Sequence, residues 1–260
     1  MSAGTFTPRP GAAPVSRMIR AQTALETRML LRNGEQLLLT VIIPALLLTL
    51  FSAVDIITVP GQEGGAGSRV DFVAPGVLAL AVMSTAFTGQ AIATGFDRRY
   101  GVLKRLGASP LPRWALMTAK TLSVLVTEVL QIALLTAIAL ALGWSPHGDP
   151  LSVAALVLLG TAAFSGLGLL MAGTLKAEMT LAAANLVFLL LLVGGGVIVP
   201  LEKFPGAVQS VLGLLPISAL SDGLREVLQH GAALPLGDAA VLAVWAVLGL
   251  GAAARFFRWE

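Results

Sequence analysis

Cysteine is absent from the 260 residues, and histidine occurs only at His147 and His230. Disulfides, thiolate nucleophiles and Cys-ligated zinc are thereby excluded, and a His-rich metal centre has nothing to be built from. Charge is scarce as well: 12% of the chain, against roughly 25% in an average soluble domain. The net charge of +3, from 17 Lys and Arg against 14 Asp and Glu, is too weak a surplus for a nucleic-acid partner. A phosphate-cradling G-x-x-x-x-G-K-[ST] is missing: Gly101 and Gly107 stand one residue too far apart, and Ala108 falls where the lysine belongs. Intramembrane hydrolysis is poorly served too. Ser165 lies in AFSGLG, but both histidines lie in loops, and Asp55, Asp71, Asp149, Asp222 and Asp238 are all in or near loops.

What the chain has instead is apolar surface. Hydrophobic residues make up 56%, and mean hydropathy is +0.87. A soluble globule of this composition could not cover itself, so most of the chain belongs in lipid. Six apolar stretches are expected as membrane-spanning helices: 36–54 (with Pro44 inside), 74–96, 114–142, 151–175, 180–199 and 239–254. Phe256, Phe257 and Trp259 behind the last of them read as an interfacial aromatic anchor. The first 35 residues contain no apolar run, which argues against a cleaved signal peptide. Pro8, Pro10 and Pro14 mark residues 1–15 as a disordered tail. From Ser16 to Arg32, helical periodicity gathers Arg17, Arg20, Arg28 and Arg32 on one side and Met18, Leu25 and Met29 on another. That pattern suits an amphipathic helix lying along an anionic membrane face, with a short solvated helix as the plainer reading.

The placement of charge sets the topology. Fourteen of the 17 Lys and Arg fall in the N-terminal segment, the loop between spans two and three, the region of Lys120 and Lys176, and the tail; Arg69, Lys203 and Arg225 fall on the other side. The positive-inside rule then puts both termini in the cytoplasm. On the outer side, 55–73 is a Gly-rich loop and 200–238 carries structure of its own. Val208, Val211, Leu212 and Leu215 recur at helical spacing until Pro216, and Ile217, Leu220, Leu224, Val227 and Leu228 form a second stripe stopped by Gly231. Both are too short to span, so they read as re-entrant half-helices or as helices lying on the outer surface.

Inside the spans polar groups are few: Glu128 near mid-membrane, Gln131 less than a turn away, and Asn185 in span five. Such residues face a substrate cavity or bond across helices. Lys120 reads as a side chain that snorkels to the cytoplasmic face. Gly166, Gly168, Gly173 and 194–196 are candidates for close helix packing.

The loop 97–113, DRRYGVLKRLGASPLPR, interleaves basic residues with Tyr100, Val102, Leu103 and Leu106, and Gly107 and Pro110 close it. A topology signal explains its arginines but not its apolar residues; a short helix presented to a cytosolic partner explains both. With the preceding Phe96, this loop resembles that of the membrane subunits of ABC-2 type exporters: an acid, basic residues, a glycine, an apolar helix and a Pro-containing turn. A second likeness follows span five, in Pro200, Phe204-Pro205, Leu215-Pro216 and Asp222-Gly223-Leu224-Arg225. Lys104 and Ala219 depart from the family pattern. The resemblance covers about 16–258 and implies an all-α integral membrane domain over 16–260. Its parts are six spans, an N-terminal interfacial helix, a coupling helix between spans two and three, and short re-entrant helices between spans five and six.

It further implies a non-enzymatic permease in the cytoplasmic membrane of a bacterium. ATP and Mg would be bound by separate ABC ATPase subunits, with no cofactor or metal on this chain. Two permease copies, or this chain and a paralogue, would pair among the membrane lipids and export a hydrophobic or amphipathic compound. Asp97, Arg98, Arg99, Tyr100, Gly101, Leu103, Lys104 and Arg105 would contact the ATPase, and Pro200, Pro205, Pro216 and Arg225 would shape the re-entrant segment. Two other readings compete: an ion-coupled secondary transporter, which calls for more intramembrane charge and often an inverted repeat, and a membrane-bound enzyme of lipid metabolism, which calls for clustered acids or histidines at one interface.

Overall fold

A computed structural model of the chain describes residues 11–34, 38–53, 66–197 and 205–258, and every regular element among them is helical. Pro14 precedes helix α1 (Val15–Arg32). Helix α2 begins as a π-helical turn, Leu38–Ile42, and continues as Ile43–Ala53. Helix α3 is one long rod in three parts: Ala66–Met83, a π-helical stretch Ser84–Gly89, and Gln90–Arg99. After the short α4 (Val102–Gly107) come α5 (Arg113–Ala141), α6 (Pro150–Thr174) and α7 (Ala177–Gly194). The chain ends with α8 (Gly206–Leu212), α9 (Pro216–His230) and α10 (Leu236–Phe256).

Five of these helices are long and apolar enough to cross a bilayer: Arg69–Arg99, Trp114–Ala141, Pro150–Thr174, Ala177–Gly194 and Leu236–Phe256. They match the expected second to sixth spans with ends moved by a few residues. The first expected span, 36–54, corresponds to the shorter apolar helix Thr40–Ser52; residues 35–37 and 54–65 lie outside the described residues, as does the expected tail over 1–10. Pro75 sits inside α3 and leaves the helix continuous, because neighbouring helices can accommodate a freed carbonyl.

The most apolar stretch of α3 is 83% buried, whereas that of α7 is 17% buried. That contrast makes α3 the axis of the fold and leaves α7 at its edge. Helices α2, α6 and α9 pack along α3, and α10 lies along α6. The core holds Phe87, Met83 and Leu80 from α3, Phe164 and Leu156 from α6, and Ile217, Leu220 and Leu224 from α9.

The two stripes expected between spans five and six behave differently. The α9 stripe is buried against α3, α6 and α10, and Gly231 ends it in the left-handed conformation (φ +62°) open to glycine without strain. The α8 stripe faces outward, with Val208 and Val211 exposed. Helix α9 is thus inserted among the other helices, whereas α8 lies on their outside.

Candidate functional site

The basic segments meet at one end of the helix bundle. Arg98 donates through Nη1 to the carbonyl of Ala172 (2.9 Å) and through Nη2 to that of Leu175 (2.5 Å), at the C-terminus of α6. Arg99 pairs with Glu178 at the start of α7, and the amide of Arg258 donates to the carbonyl of Gly173 (3.1 Å). Lys120, on α5, reaches Glu26 of α1 and Asp97 of α3. The opposite end is tied by other bonds: His147 N to the Leu228 carbonyl (3.1 Å), Gln229 Nε2 to the Asp71 carbonyl (2.6 Å) and Ser145 N to Asp71 (3.2 Å). Among the described residues, Arg98, Arg99, Lys120 and Arg258 thus gather at one end of the bundle.

At that end the chain leaves α3 through Tyr100, turns at Gly101 in the left-handed conformation (φ +69°), and enters α4. A side chain at residue 101 would be strained there. Tyr100 stacks on Phe96, with ring centroids 6.0 Å apart, yet stays 67% exposed. Leu103 is fully buried and anchors α4, while Lys104 and Arg105 project outward.

Of the eight expected contact residues, Gly101 makes the turn and the other seven divide. Tyr100, Lys104 and Arg105 form an outward face, and Arg99 borders it through its pair with Glu178. Asp97, Arg98 and Leu103 point into the fold. Arg98 satisfies helix-end carbonyls of α6 that would otherwise lack donors, so it braces the loop against α6.

Lys120 is the largest departure from the sequence reading. It does not snorkel outward: only 5% of its side chain is exposed, and its ammonium lies 2.7 Å from Asp97 Oδ2 and 3.1 Å from Glu26. Buried charge at that depth needs partners, and two carboxylates supply them. Helical spacing puts Lys120, Ser123, Thr127, Glu128 and Gln131 on one buried face of α5, a polar seam inside an apolar span. Sequence reasoning missed Glu26 and Lys120 as a pair; the signal available was an acid at the centre of an otherwise basic helix.

Higher in the seam, Gln131 donates from Nε2 to the carbonyl of Thr40 and accepts from Thr85 Oγ1 (2.8 Å). Thr40 and Thr85 lie in the two π-helical stretches, so one amide joins the places where α2 and α3 depart from regular helix. Glu128 is completely buried and accepts from Thr161 Oγ1 of α6 (2.5 Å). Both residues bond across helices, as one of the two readings expected, and neither lines an open cavity here. Asn185 does neither. It is exposed on α7 and donates to the carbonyl of Leu181 in its own helix (3.0 Å).

Of the glycines expected to permit close packing, Gly166, Gly168 and Gly173 stand where another segment's backbone leaves no room for a Cβ. A Cβ on Gly168 would come 2.8 Å from the Phe87 carbonyl, and one on Gly173 would strike Phe257. At the other end, Arg225 donates to the Val197 carbonyl (2.8 Å) and Asp222 (3.1 Å) and lies over the ring of Phe72, 4.4 Å from its centroid. Pro216 starts α9 and Pro205 precedes α8. Pro200 lies outside the described residues. Among the described residues no cluster of acids and histidines could hold a metal.

A family described as ABC-2 type transporter has a sequence model that matches residues 19–228. A protein of Bacillus subtilis (strain 168) named "Putative transport permease YvfS" is 26% identical over 217 residues, covering 82% of this chain and 86% of that protein.

Proposed function

The chain belongs to the ABC-2 type transporter family, and from that premise we propose that it is the permease subunit of an ATP-driven exporter. The observation that carries the proposal is the outward face of Tyr100, Lys104 and Arg105. It is held rigid from behind by Leu103, by Arg98 on the α6 carbonyls and by Asp97 on Lys120. A chain without a phosphate-binding loop needs energy from elsewhere, and a braced cationic and aromatic knob is suited to receive it from a soluble subunit. Separate ABC ATPases would bind ATP and Mg, dock on this face and, on closing, displace it. The spans would then move against one another in a pair of permeases, two copies or this chain with a paralogue.

The charged end is the cytoplasmic one in this reading, with both termini there, in the inner membrane of a bacterium. The cargo is a hydrophobic or amphipathic compound in this reading, since Glu128, Gln131 and Asn185 are each bonded across helices or within their own helix and apolar residues make up most of the spans. Co-purification with candidate ATPases tests the proposal. Export of substrate by the purified chain without an ATPase would overturn it.

The buried charges of Lys120 and Glu128 favour the second reading, an ion-coupled transporter. Lys120, however, is neutralised within a packed triad, and Glu128 is closed off from both faces in this conformation. Transport that follows an imposed ion gradient in ATPase-free vesicles would decide for that reading.

A further inference from the structure

Helix α1 has an unusual seat. The side chains it buries are Gln22 and Glu26, whereas Leu25 and Met29 are 49% and 46% exposed. Met18, Ile19 and Leu30 are half-buried beside them, so the most deeply seated contacts of α1 are polar ones. Gln22 Nε2 donates to Glu26 Oε1 (2.9 Å), and Glu26 receives the ammonium of Lys120. The same ammonium reaches Asp97, in the last turn of α3, three residues before Tyr100.

We propose that Lys120 is a positioning residue that yokes α1 to the loop after α3, so that the first helix and the Tyr100–Arg105 face move as one piece. Three helices meet at one ammonium, and neither carboxylate has another cation within the triad. A shift of Asp97 therefore changes what Lys120 offers to Glu26. Buried ion triads add little net stability compared with apolar packing; what this one supplies is a single point at which three helices are tied. The seat also has room to move. A cavity of about 20 Å³, enough for one water, adjoins Glu26 and Lys120. Its walls include Gln90 and Thr94, which are 4% and 1% exposed and whose side-chain polar atoms have no partner among the described residues. Lys120 can shift towards these groups without being left bare. The yoke stands apart from the ATP-driven reading; only its consequence for energy coupling rests on that reading.

The absence of cysteine makes the test direct. Spin labels at Leu25→Cys on α1 and Lys104→Cys on α4 report the distance between the first helix and the loop in the full chain reconstituted in phospholipid nanodiscs. A control pair, Leu158→Cys on α6 and Val247→Cys on α10, reports a part of the bundle away from the triad; both positions are exposed. The expected result is one narrow distance distribution for the first pair, retained in Lys120→Arg. Its width should about double in Lys120→Met, in Glu26→Gln and in Asp97→Asn, because each removes one arm of the yoke or its centre. The control pair should not change. Should Lys120→Met also lose the control distance, that variant has unfolded, and the two milder variants decide. An unchanged first-pair width in Glu26→Gln and Asp97→Asn would overturn the yoke. No ATPase is present, so this outcome is separate from failure of the ATPase to co-purify, which would overturn the permease reading alone.

Discussion

Gly166 on α6 and Gly249 on α10 pack backbone to backbone: a Cβ on Gly166 would come 2.6 Å from the carbonyl carbon of Gly249 and 2.5 Å from the amide nitrogen of Leu250. In lipid the hydrophobic effect does not drive helices together, so close backbone approach and dispersion must do so. Gly166→Ala should lower stability by about 1–3 kcal/mol through overpacking, and Gly166→Leu should separate the two helices. Detergent-titrated unfolding measures the first effect, and the Leu158–Val247 label distance reads the second. A stable Gly166→Leu with the native distance would disprove the close contact.

Arg98 and Arg105 are close in sequence but should respond differently to charge reversal. Arg98→Glu puts an anion against the carbonyls of Ala172 and Leu175. The lost charged hydrogen bonds alone are worth about 1.5–3 kcal/mol each, so yield and thermal stability should fall. Arg105→Glu alters an exposed side chain whose own contact is long, 3.5 Å to the Tyr100 carbonyl. Its stability should match wild type while ATPase co-purification drops. Equal stability in both variants would contradict the assignment of Arg98 as a brace.

Glu128→Gln should preserve the fold. The carboxylate accepts from Thr161, its other oxygen has no partner among the described residues, and the amide can still accept through its carbonyl. Stability within about 1 kcal/mol of wild type is expected, since a neutral hydrogen bond of that size replaces the present one. Transport close to wild type would identify Glu128 as a bond between α5 and α6; a folded variant without transport would give it a role in the cargo path.

Gln131→Leu should be costly. It leaves the Thr40 carbonyl and the Thr85 hydroxyl without the amide that now bonds both. A buried hydroxyl that loses its acceptor, as Thr85 would, costs about 1–3 kcal/mol. Hydrogen exchange should rise at Leu38–Ile42 and Ser84–Gly89 before it rises elsewhere, and uniform exchange along α3 would argue against Gln131 as the link.

Asp149 caps α6: its carboxylate accepts from the Ser152 amide (3.0 Å) and the Ser152 hydroxyl (3.0 Å). These bonds, led by the one from the Ser152 amide, hold its pKa below the ordinary carboxylate value. A lowered native pKa means that the capping contribution is complete above the unfolded value and is lost as pH falls through the native one. Exchange at the Ser152 amide should accelerate on acidification through that window. Asp149→Asn, which caps without titrating, should remove the pH dependence.

The exposed face at Tyr100, Lys104 and Arg105 was legible because an interruption of apolar periodicity by basic residues and two glycines is a local signal. The buried seam of α5 was only half legible. Glu128 and Gln131 stand out as polar residues in an apolar span, but nothing in the sequence near Lys120 says whether it bends outward to water or inward to an acid. Its partners lie 94 and 23 residues away, and Arg98 finds its carbonyls 74 and 77 residues on.

By itself the sequence determined the apolar lengths that fill the bilayer, the crowding of basic residues towards one end, and the family, since periodicity, charge count and turn residues act over a few neighbours. The tertiary structure alone decided which charges serve the fold and which remain exposed. That choice rests on whether a helix distant in sequence brings a carboxylate or a bare carbonyl within about 3 Å, the reach of a hydrogen bond.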